Sequence, residues 1–164
     1  MAGLPKLEWL DYRGGSGDTA DVVRGCSGLR FLWINQVRGL HDLTALSDLR
    51  SLELLVLYGL PQVKAIPSLS RAANLRRAEI GSMKGLAGLG GLLDAPHLEE
   101  LVLMNRVSVA DGDASRVAAH PSIRAFWWSG DDVPVKTSEE FERRVGKPRV
   151  QVIGAQDWAA ARPP

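Results

Sequence analysis

Residues 29–51 read LRFLWINQVRGLHDLTALSDLRS, residues 52–74 read LELLVLYGLPQVKAIPSLSRAAN, and residues 75–97 read LRRAEIGSMKGLAGLGGLLDAPH. Laid over one another, the three blocks place apolar residues at the same offsets: 0, 3, 5, 8, 11, 14, 17 and 20. In the first block these are Leu29, Leu32, Ile34, Val37, Leu40, Leu43, Leu46 and Leu49. In the second they are Leu52, Leu55, Leu57, Leu60, Val63, Ile66, Leu69 and Ala72, and in the third Leu75, Ala78, Ile80, Met83, Leu86, Leu89, Leu92 and Ala95. A fixed period of this length means that one structural unit is stacked on itself, and it takes precedence over any local assignment of helix or strand.

The opening Leu-x-x-Leu-x-Leu of each block recurs on both sides. It stands before them as Leu7/Leu10/Tyr12 and after them as Leu98/Leu101/Leu103 and Ile123/Phe126/Trp128, with first members 22, 23, 23, 23 and 25 residues apart. Offsets 3 and 5 alternate as a strand requires, whereas the later apolar residues fall every third position along a compact return. One such unit buries too little apolar surface to offset the entropy of ordering its chain, so stability has to come from stacking.

This pattern resembles the leucine-rich repeat family, over roughly residues 4 to 130. The resemblance implies an α/β solenoid of about six repeats, with a parallel sheet on the concave side and helix or 3₁₀ turns on the convex side. It also implies a short array of bacterial type that binds proteins. The family usually has Asn or Cys three residues after the third Leu. This chain has Val37, Leu60, Met83 and Arg106 there, so the family's amide ladder is expected to be missing.

Three units are expected: the array over 1–130, a C-terminal helix-strand cap over 131–153 and a tail over 154–164, which carries no readable pattern. The glycine-rich stretch 13–18 reads as a loop into a short convex helix capped by Ser16 or Asp18, and residues 109–117 as a second convex helix. Thr137 and Glu140 form a capping box that opens a helix to about Val145; Lys147-Pro148 stops it, and 149–153 reads as a final strand. No comparable cap precedes Leu7. That end is expected to expose an edge strand through which a homodimer is possible.

With 20 Lys+Arg against 19 Asp+Glu the net charge is +1, so bulk charge selects neither nucleic acid nor an anionic membrane. The opening MAGLPKLEWLDYRGG lacks the pattern of a leader, and no apolar run approaches membrane-spanning length, which points to the cytoplasm and to no membrane partner. A single cysteine, Cys26, cannot close an internal disulfide.

If offsets 0, 3 and 5 point inward, offsets 2, 4 and 6 face outward on the sheet. One row then holds Trp9, Phe31, Leu54, Arg77, Glu100 and Ala125; the next Asp11, Trp33, Val56, Glu79, Val102 and Trp127; the third Arg13, Asn35, Tyr58, Gly81, Met104 and Ser129. Same-row neighbours lie about 4.8 Å apart, so Trp9, Phe31 and Trp33 are expected to cluster. A solvent-facing sheet is normally polar outside, and this one is mostly apolar, which predicts a contact surface. The expected contact residues are Trp9, Phe31, Trp33, Leu54, Val56, Tyr58, Arg77, Glu79, Glu100, Val102, Met104 and Trp127. The competing reading is that the chain covers this face itself, for instance with the tail carrying Trp158. Arg77, beside Glu79 and Glu100, is read as a self-neutralising surface cluster rather than a ligand clamp.

Catalytic chemistry has little to stand on. His41, His97 and His120 fall at different phases of the repeat and do not converge, which argues against a metal site. Cys26 aligns with an inward position that suits a small buried hydrophobe. The loop at 13–18 lacks the Gly-Lys-Ser/Thr ending of a phosphate loop, and Gly85, Gly88, Gly90 and Gly91 read as turns. The expected function is therefore a non-enzymatic module, without cofactor, that grips a protein or peptide on its concave face. An inhibitor or immunity protein and an adaptor are its variants. Single-stranded nucleic-acid binding by stacking on Trp9, Phe31, Trp33, Tyr58 and Trp127 is the alternative, disfavoured because the face lacks an excess of positive charge.

Overall fold

A computed structural model describes residues 4–163. The ends of the expected array and tail, residues 1–3 and 164, lie outside the described residues. Six strands form a single parallel sheet in chain order: β1 (Trp9–Arg13), β2 (Phe31–Asn35), β3 (Leu54–Tyr58), β4 (Arg77–Met83), β5 (Glu100–Val107) and β6 (Ala125–Ser129). The register runs Trp9, Phe31, Leu54, Arg77, Glu100, Ala125 across the sheet and reproduces the three expected rows residue for residue.

Every apolar position of the three central blocks is buried, none more than 5 % exposed. Val37, Leu60 and Met83, which stand where an amide ladder was expected to be missing, fill the core instead. In the fifth unit the phase slips by one residue. A bulge pairs Met83 with Val107, so Val107 takes the buried position and Arg106 is exposed. Each unit has a residue of positive φ at offset 7: Gly14, Gln36, Gly59 and Gly130 directly follow their strands, whereas Ser82 and Asn105 lie at the bulge within β4 and β5. Three of the six are glycine, the residue that enters this region without a Cβ penalty.

The returns differ with their sequences. Short 3₁₀ turns occupy Asp21–Val23, Thr44–Asp48 and Gly90–Asp94, and α1 (Asp113–Ala119) provides the helix expected in the fifth unit. The return of β3 has no helix; Pro61 and Pro67 remove backbone donors from it. The expected convex helix after β1 is only the 3₁₀ turn, begun at Ala20 without a side-chain cap. Parallel bridges from Ser16 to Arg38 and from Thr19 to Asp42 tie that loop to the next return instead. Gly91 is needed for close approach rather than for a turn, because a Cβ there would lie 2.3 Å from the Pro67 backbone.

α2 (Val135–Val145) closes one edge of the sheet, packing on β6 and α1. Phe141 meets Phe126 and Trp128 at 5.4 and 5.3 Å between ring centres. The helix starts two residues before the expected capping box. Pro134 precedes it with no side-chain cap, and Ser138 Oγ donates to the Val135 carbonyl. The expected strand at 149–153 does not form. Pro148, with no N–H, contributes only its carbonyl, which accepts from Phe126 N at 2.9 Å, and the chain then leaves the edge. Trp128 N donates to Glu142, so the outward N–H groups of Phe126 and Trp128 on β6 are both satisfied. β1 has a strand on one side only, and Trp9 is 38 % exposed. The tail, which showed no pattern, folds into α3 (Ala155–Ala160) and packs on β3.

Candidate functional site

The sheet face that carries the three rows is where the expected contact residues come together. Trp9 stacks on Trp33 with ring centres 4.5 Å apart and planes 15° from parallel, and Phe31 is tilted 5.4 Å from Trp9. Parallel register puts these side chains side by side, because Trp9 pairs with Phe31 and Asp11 with Trp33.

This face is not open. α3 crosses it, and Trp158 and Ala159 close a second apolar cluster with Phe31, Trp33, Leu54 and Val56. Phe31 and Trp33 are each 5 % exposed, and Trp158 is equally buried. Val102 is buried as well, whereas Tyr58, Glu100, Met104 and Trp127 are half-buried and Trp9 remains exposed. The expectation of a free aromatic surface therefore holds only at its flanks; over β2 and β3 the chain supplies its own cover.

Arg77 is buried rather than on the surface. Its Nε donates to Glu79 Oε1 at 2.8 Å, its Nη1 to Glu100 Oε2 at 2.9 Å, and its Nη2 to the Ile153 carbonyl at 2.9 Å. Glu79, 8 % exposed, is buried with it. One guanidinium thus faces two carboxylates, and the cluster, expected on the surface, sits under the segment that leads into α3. At the other end of that segment Arg30 Nη2 donates to the Pro163 carbonyl at 2.7 Å. The Arg162 guanidinium lies 3.2 Å from the centre of the Trp158 ring; burial, the largest influence, holds its pKa below the usual arginine value.

Below the aromatic rows runs a charge ladder that went unread in the sequence. Offset 1 alternates Glu8, Arg30, Glu53, Arg76, Glu99 and Arg124. Arg30 meets Glu53 at 2.7 Å and Glu8 at 3.7 Å, and Glu99 pairs with both Arg76 and Arg124. The hydrogen bond that Arg30 donates to Glu53 raises the pKa of Arg30. Opposite charges on adjacent strands support the register, and the sign pattern at one offset was the available signal. Elsewhere Asn105 donates to the Tyr58 hydroxyl at 2.7 Å, and Arg13 pairs with Asp11 at 2.7 Å.

Groups able to do chemistry stay apart. His41 and His97 are exposed, and Cys26 is buried at 3 % exposure. His120 is buried, with Nε2 3.0 Å from the Ala95 carbonyl and Nδ1 accepting from the backbone of Ser122 and Ile123. That arrangement suits a neutral ring, and burial pushes its pKa down. Among the described residues no three His, Cys, Asp or Glu side chains group as metal ligands, and no helix is long and apolar enough to cross a membrane. No protein-family model and no curated protein matches this sequence.

Proposed function

We propose that the chain is a leucine-rich-repeat solenoid of bacterial type acting in the cytoplasm as a non-enzymatic binding module for a protein or peptide, as an inhibitor, immunity protein or adaptor. The observation that carries this reading is the aromatic concave face with a peptide segment already seated on it. A sheet of six parallel strands with an apolar outer face is sterically and chemically suited to hold a second chain, and tryptophans dominate the energetics of such contacts. Trp9 and Trp127 flank the occupied strip and remain accessible to a partner. The arrangement disfavours the nucleic-acid alternative, since Phe31 and Trp33 lie under α3 and Arg30 and Arg77 are paired with carboxylates.

The test is affinity capture from the host's lysate, comparing wild type with a Trp9→Ser/Trp127→Ser variant. Trp9 also stacks on Trp33, so the variant should lose some stability, and the comparison is made well below its melting temperature. The reading expects a protein retained by wild type and lost by the variant; equal retention by both would move the binding surface off the concave face.

A further inference from the structure

α3 is held by two different kinds of contact. Ala155, Trp158 and Ala159 stand at i, i+3 and i+4, so they form one face of the helix, and that face packs against Phe31, Trp33, Leu54 and Val56. Gln156, Asp157 and Ala160 on the other side are exposed. The flanks are held through main-chain oxygens, Ile153 by Arg77 and Pro163 by Arg30, and through Arg162, whose guanidinium lies on the Trp158 ring. Main-chain contacts are indifferent to side-chain identity, which leaves the tryptophan and its two small neighbours as the selective element. The alanines let the helix axis approach the sheet, and the indole is buried in the apolar cluster.

A helix of this length does not persist in water, so α3 is helical because it is docked. The side chains of its tether, residues 151–154, are exposed, with Val152 80 % exposed; the tether is fixed only at the Ile153 carbonyl, and the last buried side chain before it is Val150. This is the anatomy of helix-in-groove recognition, with the ligand supplied in cis.

We propose that the groove over β2 and β3 is a receptor site for a short helix bearing Ala-x-x-Trp-Ala in a partner protein, and that α3 is the resident occupant which such a helix displaces. The proposal rests on the binding-module reading and adds the chemistry of its ligand. A tethered occupant works at an effective concentration of about millimolar, so it raises the apparent Kd of any competing helix. Weakening α3 should therefore strengthen binding in trans.

The probe is a fluorescent synthetic peptide with the sequence of residues 150–164, titrated by anisotropy into the full chain as wild type, Trp158→Ala and Trp158→Ala/Trp33→Asp. The expected result is binding to Trp158→Ala at least ~10-fold tighter than to wild type, lost in the double variant and lost when the peptide itself carries Trp158→Ala. Equal binding to wild type and Trp158→Ala, or binding to neither, overturns the proposal. Should Trp158→Ala fail to fold, Ala159→Glu, which sets a charge against the apolar groove, provides the same comparison. A wild-type dimer that Trp158→Ala abolishes would assign the groove to a second copy and overturn the partner-protein assignment. Loss of a captured protein on changing Trp9 and Trp127, with no peptide binding, would sink this inference alone; peptide binding with equal capture by both baits would sink only the reading it rests on.

Discussion

The guanidinium of Arg77 on β4 donates at 2.9 Å to the main-chain oxygen of Ile153, which lies 76 positions further along the chain. Through this bond the buried charge cluster and the covering segment become one structure. Arg77 is 4 % exposed, and a cation so placed is sustained only by its partners, here Glu79, Glu100 and that carbonyl.

Arg77→Met should cost about 3 kcal/mol, because it leaves Glu79 buried and unpaired. Arg77→Met/Glu79→Leu should recover most of that loss. Urea denaturation of the two single variants and the double variant measures the coupling; additive costs would mean that the pair does not interact.

Asp113 sits at 2 % exposure with Oδ2 accepting from Leu89 N and Ala110 N, both at 2.8 Å. It joins the fourth and fifth returns, and Asp113→Ala should cost about 1–3 kcal/mol by stranding the buried Leu89 donor and the partly buried Ala110 donor. Asp113→Asn keeps an acceptor oxygen and should cost less, which thermal melting of the two variants would test.

Ser82 has φ 48°, and no side-chain partner compensates its left-handed backbone. Ser82→Gly removes a penalty of about 1–2 kcal/mol, and the entropy of the added glycine offsets part of it, leaving a gain of about 0.5 kcal/mol. Ser82→Val should destabilise, since a branched side chain suits this region least. Equal stabilities for Ser82→Gly and Ser82→Val would show that the turn is not strained.

His120 makes stability depend on pH. Its ordinary pKa of 6.5 applies in the unfolded chain, and burial lowers it in the fold, so folding favours the neutral ring. The unfolded state then binds more protons below pH 6.5, and the stability owed to the neutral ring is full above that value and lost as pH falls through the lower folded pKa. Melting between pH 7.5 and 5 should show a downward slope that His120→Gln flattens. An unchanged slope would place the titrating group elsewhere.

The sheet was legible because its period is written in side chains that all do the same thing. Leu32, Leu55 and Ala78 point inward at one offset, and the register among Trp33, Val56 and Glu79 follows from it without further information. The left-handed offset was also readable, in Gly14, Gly59 and Gly130, as was the alternation of Glu and Arg one residue after each opening leucine. α3 was not. It spans Ala155–Ala160, less than two turns, so it carries no periodicity, and its one large anchor, Trp158, gains meaning only from the groove it enters. Cover of Phe31 and Trp33 by the tail carrying Trp158 was the competing reading of the sequence, and it is the one that holds; the sequence could not decide it because a segment more than a hundred residues away sets their exposure.

Hydrogen exchange of the amides of Trp158 and Ala161 tests the cover over this sheet face most directly. Their donors bond to Gly154 and Asp157 within a helix too short to protect them unless it is docked. The account predicts protection in the wild-type chain, and its loss in Trp33→Asp while the amides of β3 and β4 stay protected. Exchange at the unprotected rate in the wild type, unchanged by Trp33→Asp, would contradict it.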